Sequence, residues 1–189
     1  MKSQLADYLN RYTTFDSEEI DLIFNSLSQK IFQKKEYLLE QYQVCTYRFF
    51  IVEGLVRYFK TDSNGNENIS IFGIENWWIT NLDSFVNEIP SHNTIQALEK
   101  TIVLCISKND LELLYEKVPK LERAFRLITE RMLIAIQRKD EIYMKQSSKE
   151  RYNGLVDQIP NFTQRVPQYM IASYLDITPE YLSEIRKNS

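Results

Sequence analysis

The 189-residue sequence predicts an α+β fold with three parts: an N-terminal jelly roll (a double-stranded β-helix), one long helix and a C-terminal all-α helix-turn-helix domain. Three observations lead to this prediction. Apolar residues alternate with polar ones between residues 29 and 107, which is the period of β-strands. Residues 120–145 contain neither glycine nor proline, and residues 164–187 carry the spacing and turn residues of two short helices. We expect the parts at residues 1–118, 119–146 and 147–189.

A helical segment is predicted ahead of the strands, over residues 3–28. Asp16 or Ser17 can cap a helix whose first turn is acidic. Its apolar residues recur at helical spacing and form one face: Ile20, Ile23, Phe24 and Leu27. This face is expected to lie on the sheet.

The strand candidates are short and separated by turn residues. They cover residues 31–32, 37–39, 47–60, 69–74 and 95–106. Residues 61–66, reading TDSNGN, are typical of a hairpin tip, and Gly54 marks a tight turn or bulge. Many short strands with frequent turns favour a barrel or jelly roll.

Helices are predicted to resume after the last strand. Ser107 can cap a helix that buries Leu111, Leu114, Tyr115 and Val118. The next helix, from Pro119 to about Lys145, is apolar around much of its girth, so it needs two partners. Its main apolar face is formed by Leu121, Phe125, Ile128, Met132, Ala135 and Ile142. We expect the jelly roll on one side and the same helix of a second subunit on the other. A single buried core helix is the alternative interpretation.

The C-terminal region has the residue spacing and turn residues of a helix-turn-helix. Residues 146–148 read as a hinge, with Ser148 as a cap, and residues 159–162 read as a loop. Pro167 fits the first turn of one helix, and Asp176 suits a turn that needs the left-handed conformation. The first helix buries Ile171, Ala172 and Leu175, and the second buries Leu182 and Ile185.

The second of these helices begins at Thr178-Pro179-Glu180, a cap followed by proline and an acid. Its buried leucine and isoleucine leave a polar face that can enter a major groove of double-stranded DNA. An ordinary helical hairpin would have the same spacing.

The run Ile177-Thr178-Pro179-Glu180, Leu182-Ser183 and Ile185-Arg186-Lys187 resembles the C-terminal unit of the Crp/Fnr family of bacterial transcription regulators. Residues 50–54 and 96–99 also resemble runs in that family's cyclic-nucleotide-binding β-roll. The resemblance covers nearly the whole chain. It implies a sensor domain, a dimerisation helix, a homodimer, double-stranded DNA as the partner, and RNA polymerase as a further partner.

The resemblance also directs attention to a phosphate-binding segment between residues 76 and 94. Cyclic-nucleotide binders of the family have a Gly-Glu pair there and an Arg about ten residues later. Here Thr80 and Asn81 lie near the position of the Gly-Glu pair, and Ser91 lies at the position of the Arg. Residues 61–99 contain no Arg or Lys. A cyclic phosphate would lack its counter-charge, so cyclic AMP is not expected to bind. The predicted pocket for an unknown effector comprises Trp77, Trp78, Thr80, Asn81, Ser91 and His92. A filled pocket with two packed tryptophans is the alternative.

Base and phosphate contacts are predicted along the C-terminal helices. The predicted contact residues are Arg165, Gln168, Thr178, Glu180, Tyr181, Ser183, Glu184, Arg186 and Lys187. Pro179 and Glu184 stand where the family often has arginines, so the usual target sequence does not follow. Glu180 can accept a hydrogen bond from a cytosine amino group. A module that has lost specific DNA binding and acts as a small-molecule sensor or protein-interaction unit is the alternative function.

Composition excludes several other classes. One histidine and two cysteines, Cys45 and Cys105, form no metal or cluster motif, and no catalytic pairing is evident. The cysteines are expected to be buried free thiols, and an enzyme is not expected. The start of the chain lacks the apolar region of a signal peptide and no run is long enough for a membrane span, which predicts a cytoplasmic protein without a membrane partner.

Overall fold

The computed structural model describes residues 1–187, apart from the side chain of Asp140. The last two residues of the predicted 147–189 domain lie outside that range. The chain begins with α1 (Lys2–Leu9) and α2 (Ser17–Asn25), in agreement with the predicted helical segment. Asp16 caps α2 by accepting a hydrogen bond from the Glu19 amide at 2.9 Å, and the Glu19 carboxylate accepts one from the Asp16 amide at 3.0 Å. This reciprocal box fixes the start of the helix.

Within the described residues the strands form two antiparallel sheets of four. Their bounds are β1 Ser28–Phe32, β2 Tyr37–Leu39, β3 Tyr47–Glu53, β4 Val56–Thr61, β5 Glu67–Gly73, β6 Trp78–Ile79, β7 Thr94–Ala97 and β8 Thr101–Ser107. One sheet has the order β1-β8-β3-β6 and the other β2-β7-β4-β5. A short helix, α3 (Leu82–Asn87), lies between β6 and β7. The expected jelly roll is confirmed, whereas β6 and α3 were not predicted.

The turn between β3 and β4 depends on Gly54. Its φ of +105° is one that residues with a side chain rarely adopt, and a Cβ there would lie 2.5 Å from Thr101 Oγ1. The predicted tight turn is therefore confirmed. It carries the chain from one sheet to the other, close to the backbone of Lys100 and Thr101.

Two helices follow the last strand: α4 (Lys108–Lys117) and α5 (Lys120–Lys145). Ser107 caps α4 as predicted, because its hydroxyl accepts from the Asp110 amide at 3.2 Å. The 26 residues of α5 give a rod of about 39 Å. No helix in the described part of the chain has the length and apolarity needed to span a bilayer.

Four short helices complete the described chain: α6 (Ser148–Gln158), α7 (Phe162–Arg165), α8 (Gln168–Leu175) and α9 (Pro179–Lys187). The predicted cap of α6 was wrong by one residue. Ser147 is the cap, because Glu150 lies where it can complete a capping box with Ser147. The predicted loop at residues 159–162 is shorter than expected, since its last residue, Phe162, begins α7.

The connection between α8 and α9 follows the local prediction. Asp176 has φ 54° and ψ 49°, the left-handed conformation that ends α8. Thr178 Oγ1 accepts from the Tyr181 amide at 3.2 Å and so caps α9. Pro167 lies one residue earlier than expected, as the residue that precedes α8.

The buried apolar side chains form two clusters. The inner core lies between the two sheets and under α1, α2, α4 and the first turns of α5, and Phe50 is fully buried in it. The outer core lies on the other face of the β2-β7-β4-β5 sheet. It joins Leu55, Phe59, Ile69, Phe72 and Leu98 of the jelly roll to side chains of α6–α9. The C-terminal helices are therefore packed against the jelly roll in this conformation.

Candidate effector cleft and nucleic-acid interface

An open cleft of about 310 Å³ lies beside α3, at the place of the segment singled out in the sequence. Its lining residues are Tyr58, Asn81, Leu82, Asp83, Pro90, Ser91, His92 and Asn93. Strand β4 supplies the tyrosine, the start of α3 supplies the next three residues, and the loop before β7 supplies the rest. A cleft of this size is in the range of small-molecule sites.

Hydrogen bonds within the cleft wall hold its polar groups in place. Asn81 is buried, caps α3 by accepting from the Ser84 amide at 2.9 Å, and donates to the Tyr58 hydroxyl at 2.8 Å. Burial raises the pKa of Tyr58, so its hydroxyl stays protonated at neutral pH. The Ser91 hydroxyl donates to the Asn93 carbonyl at 2.9 Å. The wall thus presents neutral donors and acceptors in fixed positions.

The formal charge of the cleft is negative. Among the described lining residues, Asp83 carries the charge, and none of them is a lysine or arginine. A phosphate entering the cleft would meet a carboxylate and no cation, which is unfavourable electrostatically.

The six predicted pocket residues are not all brought together. Asn81, Ser91 and His92 line the cleft. Trp78 instead packs in the jelly roll, with its ring 5.4 Å from that of Phe50 and 5.0 Å from that of Phe125. Trp77 is 47% exposed.

The last of the six, Thr80, donates to the Tyr47 carbonyl at 3.1 Å. The other five lining residues were not predicted: Tyr58, Leu82, Asp83, Pro90 and Asn93. The alternation of side chains along β4 was a usable signal for Tyr58, since Phe59 and Arg57 face the other way, against the outer core and Glu67.

The second candidate surface is the polar face of α9. Leu182 and Ile185 are buried against α8, and the exposed residues around them are Thr178, Glu180, Tyr181, Glu184, Arg186 and Lys187. Ser183 is half-buried. Gln168 of α8 donates to the Pro179 carbonyl at 3.1 Å and accepts from Arg186 at 3.2 Å, so it ties the two helices together. The exposed side chains of α9, together with Gln168, make up the α9 surface.

Arg165 does not share that surface. Its guanidinium lies between the carboxylates of Glu75 and Glu99, and its side chain is 17% exposed. In this conformation the group is engaged by two carboxylates of the jelly roll. Sequence reasoning had no way to find these partners, which lie 66 and 90 residues away in the chain.

The predicted dimer face of α5 divides at its middle. Leu121 and Phe125 are buried in the inner core of their own chain, and Ile128 is partly buried there. Beyond that point α5 exposes most of its apolar side chains, while Lys139 still contacts β5. Those exposed are Met132, Leu133, Ile134, Ala135, Ile136, Ile142 and Met144.

Comparison with protein families identifies part of the chain. Residues 29–118 match the cyclic nucleotide-binding domain. No curated protein matches the chain significantly in sequence.

Solved structures share the fold at low identity. The catabolite activator protein of Thermus thermophilus superposes with a TM-score of 0.61 at 16% identity, covering 96% of this chain and 85% of the other. CLP of Xanthomonas campestris, a c-di-GMP-responsive global regulator, gives 0.72 at 11%, covering 92% and 91%. FixK2 of Bradyrhizobium japonicum gives 0.73 at 16%, covering 86% and 83%. At such identities the likeness establishes the fold: a cyclic nucleotide-binding jelly roll followed by helices.

Proposed function

We propose that this protein is a homodimeric, DNA-binding transcription regulator of the Crp/Fnr type, and that cyclic AMP is not its effector. The observation that carries the proposal is α9, a short helix whose one face is buried on α8 while its polar face is free. A capped, exposed polar helix held by a preceding helix is the arrangement that helix-turn-helix proteins insert into the major groove.

The α9 surface supplies both kinds of contact that such a protein needs. Arg186 and Lys187 neutralise phosphates, and Thr178 lies at the N-terminus of α9, where backbone amides can also approach the DNA backbone. Glu180, Tyr181 and Glu184 are the residues for base edges, with Ser183 and Gln168 beside them. Residues 146–189 contain five basic and five acidic side chains, so one copy binds weakly and two copies are needed.

The second copy is expected along the exposed apolar band in the second half of α5. Exposed Met132, Leu133, Ile134, Ile136 and Ile142 would face water in a lone subunit, and an apolar band on a long helix is a coiled-coil surface. Pairing there sets two α9 helices about one DNA turn apart. RNA polymerase is a further proposed partner, because the proposed role is the regulation of transcription.

The cleft beside α3 supports an effector other than a cyclic nucleotide. Its Asp83 and its lack of a lysine or arginine among the described lining residues disfavour a phosphate. The Tyr58 hydroxyl, which accepts from Asn81 and keeps its own hydrogen to donate, offers a neutral hydrogen-bonding group instead.

The test is DNA binding by fluorescence anisotropy, with the DNA upstream of the protein's own gene as the probe. The wild type should bind this DNA more tightly than unrelated DNA. The Arg186→Ala/Lys187→Ala variant should weaken binding at least tenfold and lower the salt slope by about two per subunit. The control is Lys34→Ala/Lys117→Ala, which removes two exposed charges outside α9. Equal, weak binding of all three proteins at moderate salt would refute the regulator.

The alternative is a sensor or protein-interaction module without specific DNA binding. The engagement of Arg165 by two carboxylates and the balanced charge of residues 146–189 favour it. It predicts that the wild type and both variants give the same affinity for both DNAs.

A further inference from the structure

The outer core is the contact between the jelly roll and helices α6–α9. In the sequence these two parts are connected through α5. Phe72 of β5 lies 5.1 Å from the ring of Phe162 and 5.2 Å from that of Tyr174. On the sheet side the contact uses Leu55, Phe59, Ile69, Phe72 and Leu98, all buried. These side chains would face water if α6–α9 moved away, so the contact is stabilised by the hydrophobic effect.

An ion cluster lies at one border of the outer core. Arg165 of α7 donates to Glu75 at 2.7 Å and 3.4 Å and to Glu99 at 2.5 Å and 3.2 Å. Glu75 also accepts from the Gly54 amide at 3.1 Å, so the cluster is anchored on the rigid turn between β3 and β4. The two glutamates are about one-third exposed, which leaves the cluster open to solvent and ions.

The edge strand β5 is held by a second set of polar contacts. Ser173 of α8 accepts from the Ile69 amide at 3.1 Å and donates to the Glu67 carbonyl at 2.7 Å. These bonds occupy backbone groups that no neighbouring strand pairs within the described sheet, since β5 is its last strand.

The end of α5 is joined to the same region. Lys139 donates to the Ser70 carbonyl at 3.1 Å and lies 4.2 Å from the ring centre of Tyr174. The Tyr143 hydroxyl donates to the Tyr174 carbonyl at 2.6 Å. The jelly roll, the long helix and α8 therefore meet at one junction, and a movement of any one of them is felt by the others.

We propose that this contact is a latch, and that Arg165 is a positioning residue within it rather than a DNA contact. Closed, the latch fixes α8 and α9 relative to α5 while the polar face of α9 stays free. Opening it at Glu75 and Glu99 releases α6–α9 to pivot about the extended residue Gln146. The inference rests on the proposed function only where it concerns DNA.

Three features support a latch over a permanent core. Its polar cluster is the part of the contact that water and competing ions can reach, and partly exposed ion pairs are sensitive to both. The covalent link between α5 and α6 is short, with no helix continuing through it. Finally, Arg165 lies in a four-residue helix between two longer ones, so α7 can shift when the ion cluster opens while α8 keeps its own hydrogen bonds.

The test is hydrogen–deuterium exchange on the full chain, comparing the wild type with Glu75→Gln/Glu99→Gln. This variant keeps side-chain size and removes both charges that face Arg165. We expect at least tenfold faster exchange at residues 66–72 and 162–175, with unchanged exchange in β3 and β8. The control is Glu116→Gln/Glu122→Gln, two exposed glutamates away from the latch, which should exchange as the wild type does.

Further variants keep the test decisive. Arg165→Lys retains the charge but loses the two-pronged geometry, and it should give intermediate exchange. If the double variant fails to fold, Glu99→Gln alone takes its place, because Glu75 then still holds Arg165 and Gly54. Equal exchange in the wild type and the latch variants would overturn the proposal.

The DNA readout is separate. With the latch open, affinity for the upstream DNA should fall at least tenfold while α9 keeps all its side chains. If exchange rises but the wild type itself shows no preference for that DNA, the latch stands and the proposed regulator fails. If the wild type binds DNA specifically but exchange does not respond, the regulator stands and the latch fails.

Discussion

The inner and outer cores are similar in chemistry but differ in what they join. The inner core connects elements that follow one another from α1 to the first turns of α5. The outer core connects residues 55–98 to residues 152–185, with the whole of α5 between them in the chain. The inner core is surrounded by further, partly buried apolar side chains. The outer core is instead bordered by the Arg165 ion cluster and by the hydrogen bonds of Ser173 to the edge of β5. The inner core therefore defines the jelly-roll domain, and the outer core holds helices α6–α9 against that domain.

The largest expected effect on stability comes from a substitution in the inner core. Phe50 is fully buried, 5.4 Å from the rings of both Tyr8 and Trp78. Phe50→Ala should lower the free energy of unfolding by about 3–5 kcal/mol, because it removes a large buried side chain and leaves a cavity. Urea denaturation followed by far-UV circular dichroism measures it. A loss below about 1 kcal/mol would mean that the inner core is not the unit that determines stability.

The same substitution in the outer core should act more locally. Phe72→Ala removes a ring that is 3% exposed and contacts the rings of Phe162 and Tyr174. We expect a loss of about 3 kcal/mol, at the lower end for such changes, confined to the docking of α6–α9. Calorimetry should resolve an early transition for these helices from a later one for the jelly roll. A single transition shifted as far as that of Phe50→Ala would show that the two cores unfold together.

A smaller effect of opposite sign is expected at the turn between α8 and α9. Asp176 adopts the left-handed conformation, which costs about 1–2 kcal/mol in a residue with a side chain. Glycine removes this cost but makes the unfolded chain more flexible, so Asp176→Gly should stabilise the C-terminal transition by about 0.5–1 kcal/mol, and Asp176→Val should destabilise it. Thermal unfolding of the pair is the measurement. A destabilised glycine variant would mean that the Asp176 side chain has a further role in the turn.

The smallest effect concerns pH. Desolvation raises the pKa of Glu75, but the hydrogen bonds and charge of Arg165 outweigh it and hold the pKa below its ordinary value. The stabilisation is therefore complete above about pH 4.5, where the unfolded carboxyl is ionised, and is lost as the pH falls through the lower folded value.

For a partly exposed pair this amounts to less than about 1 kcal/mol. Exchange at residues 66–72, corrected for intrinsic rates, should rise below that pH in the wild type. In Glu75→Gln the response should be smaller. An identical response in both proteins would remove Glu75 as its source.

The helix ends and turns were predictable from sequence because their causes are local. The caps at Asp16, Ser107 and Thr178 and the left-handed Asp176 depend on residues within four positions of each other. The displacement of the α6 cap from Ser148 to Ser147 has an equally local cause in Glu150.

Features that depend on distant partners escaped prediction. Strand β6 has two residues and exists through its pairing with Phe49 and Phe50. Trp78 looked like a pocket residue until that pairing placed its ring in the jelly roll. Arg165 was predicted as a phosphate contact, because its two carboxylate partners lie in the turns after β5 and β7, far away in sequence. The outer core as a whole was missed for the same reason.

The hydrogen bonds of Ser173 to the edge of β5 have a consequence for the protein at high concentration. When α8 moves away, the Ile69 amide and the Glu67 carbonyl are left unpaired on an exposed edge strand. Another chain can then add a strand to this edge. The α8 of a neighbouring molecule fits the same groups equally well, so subunits can trade C-terminal segments. Purified protein stored in a state that frees α8 should therefore accumulate swapped or fibrous species.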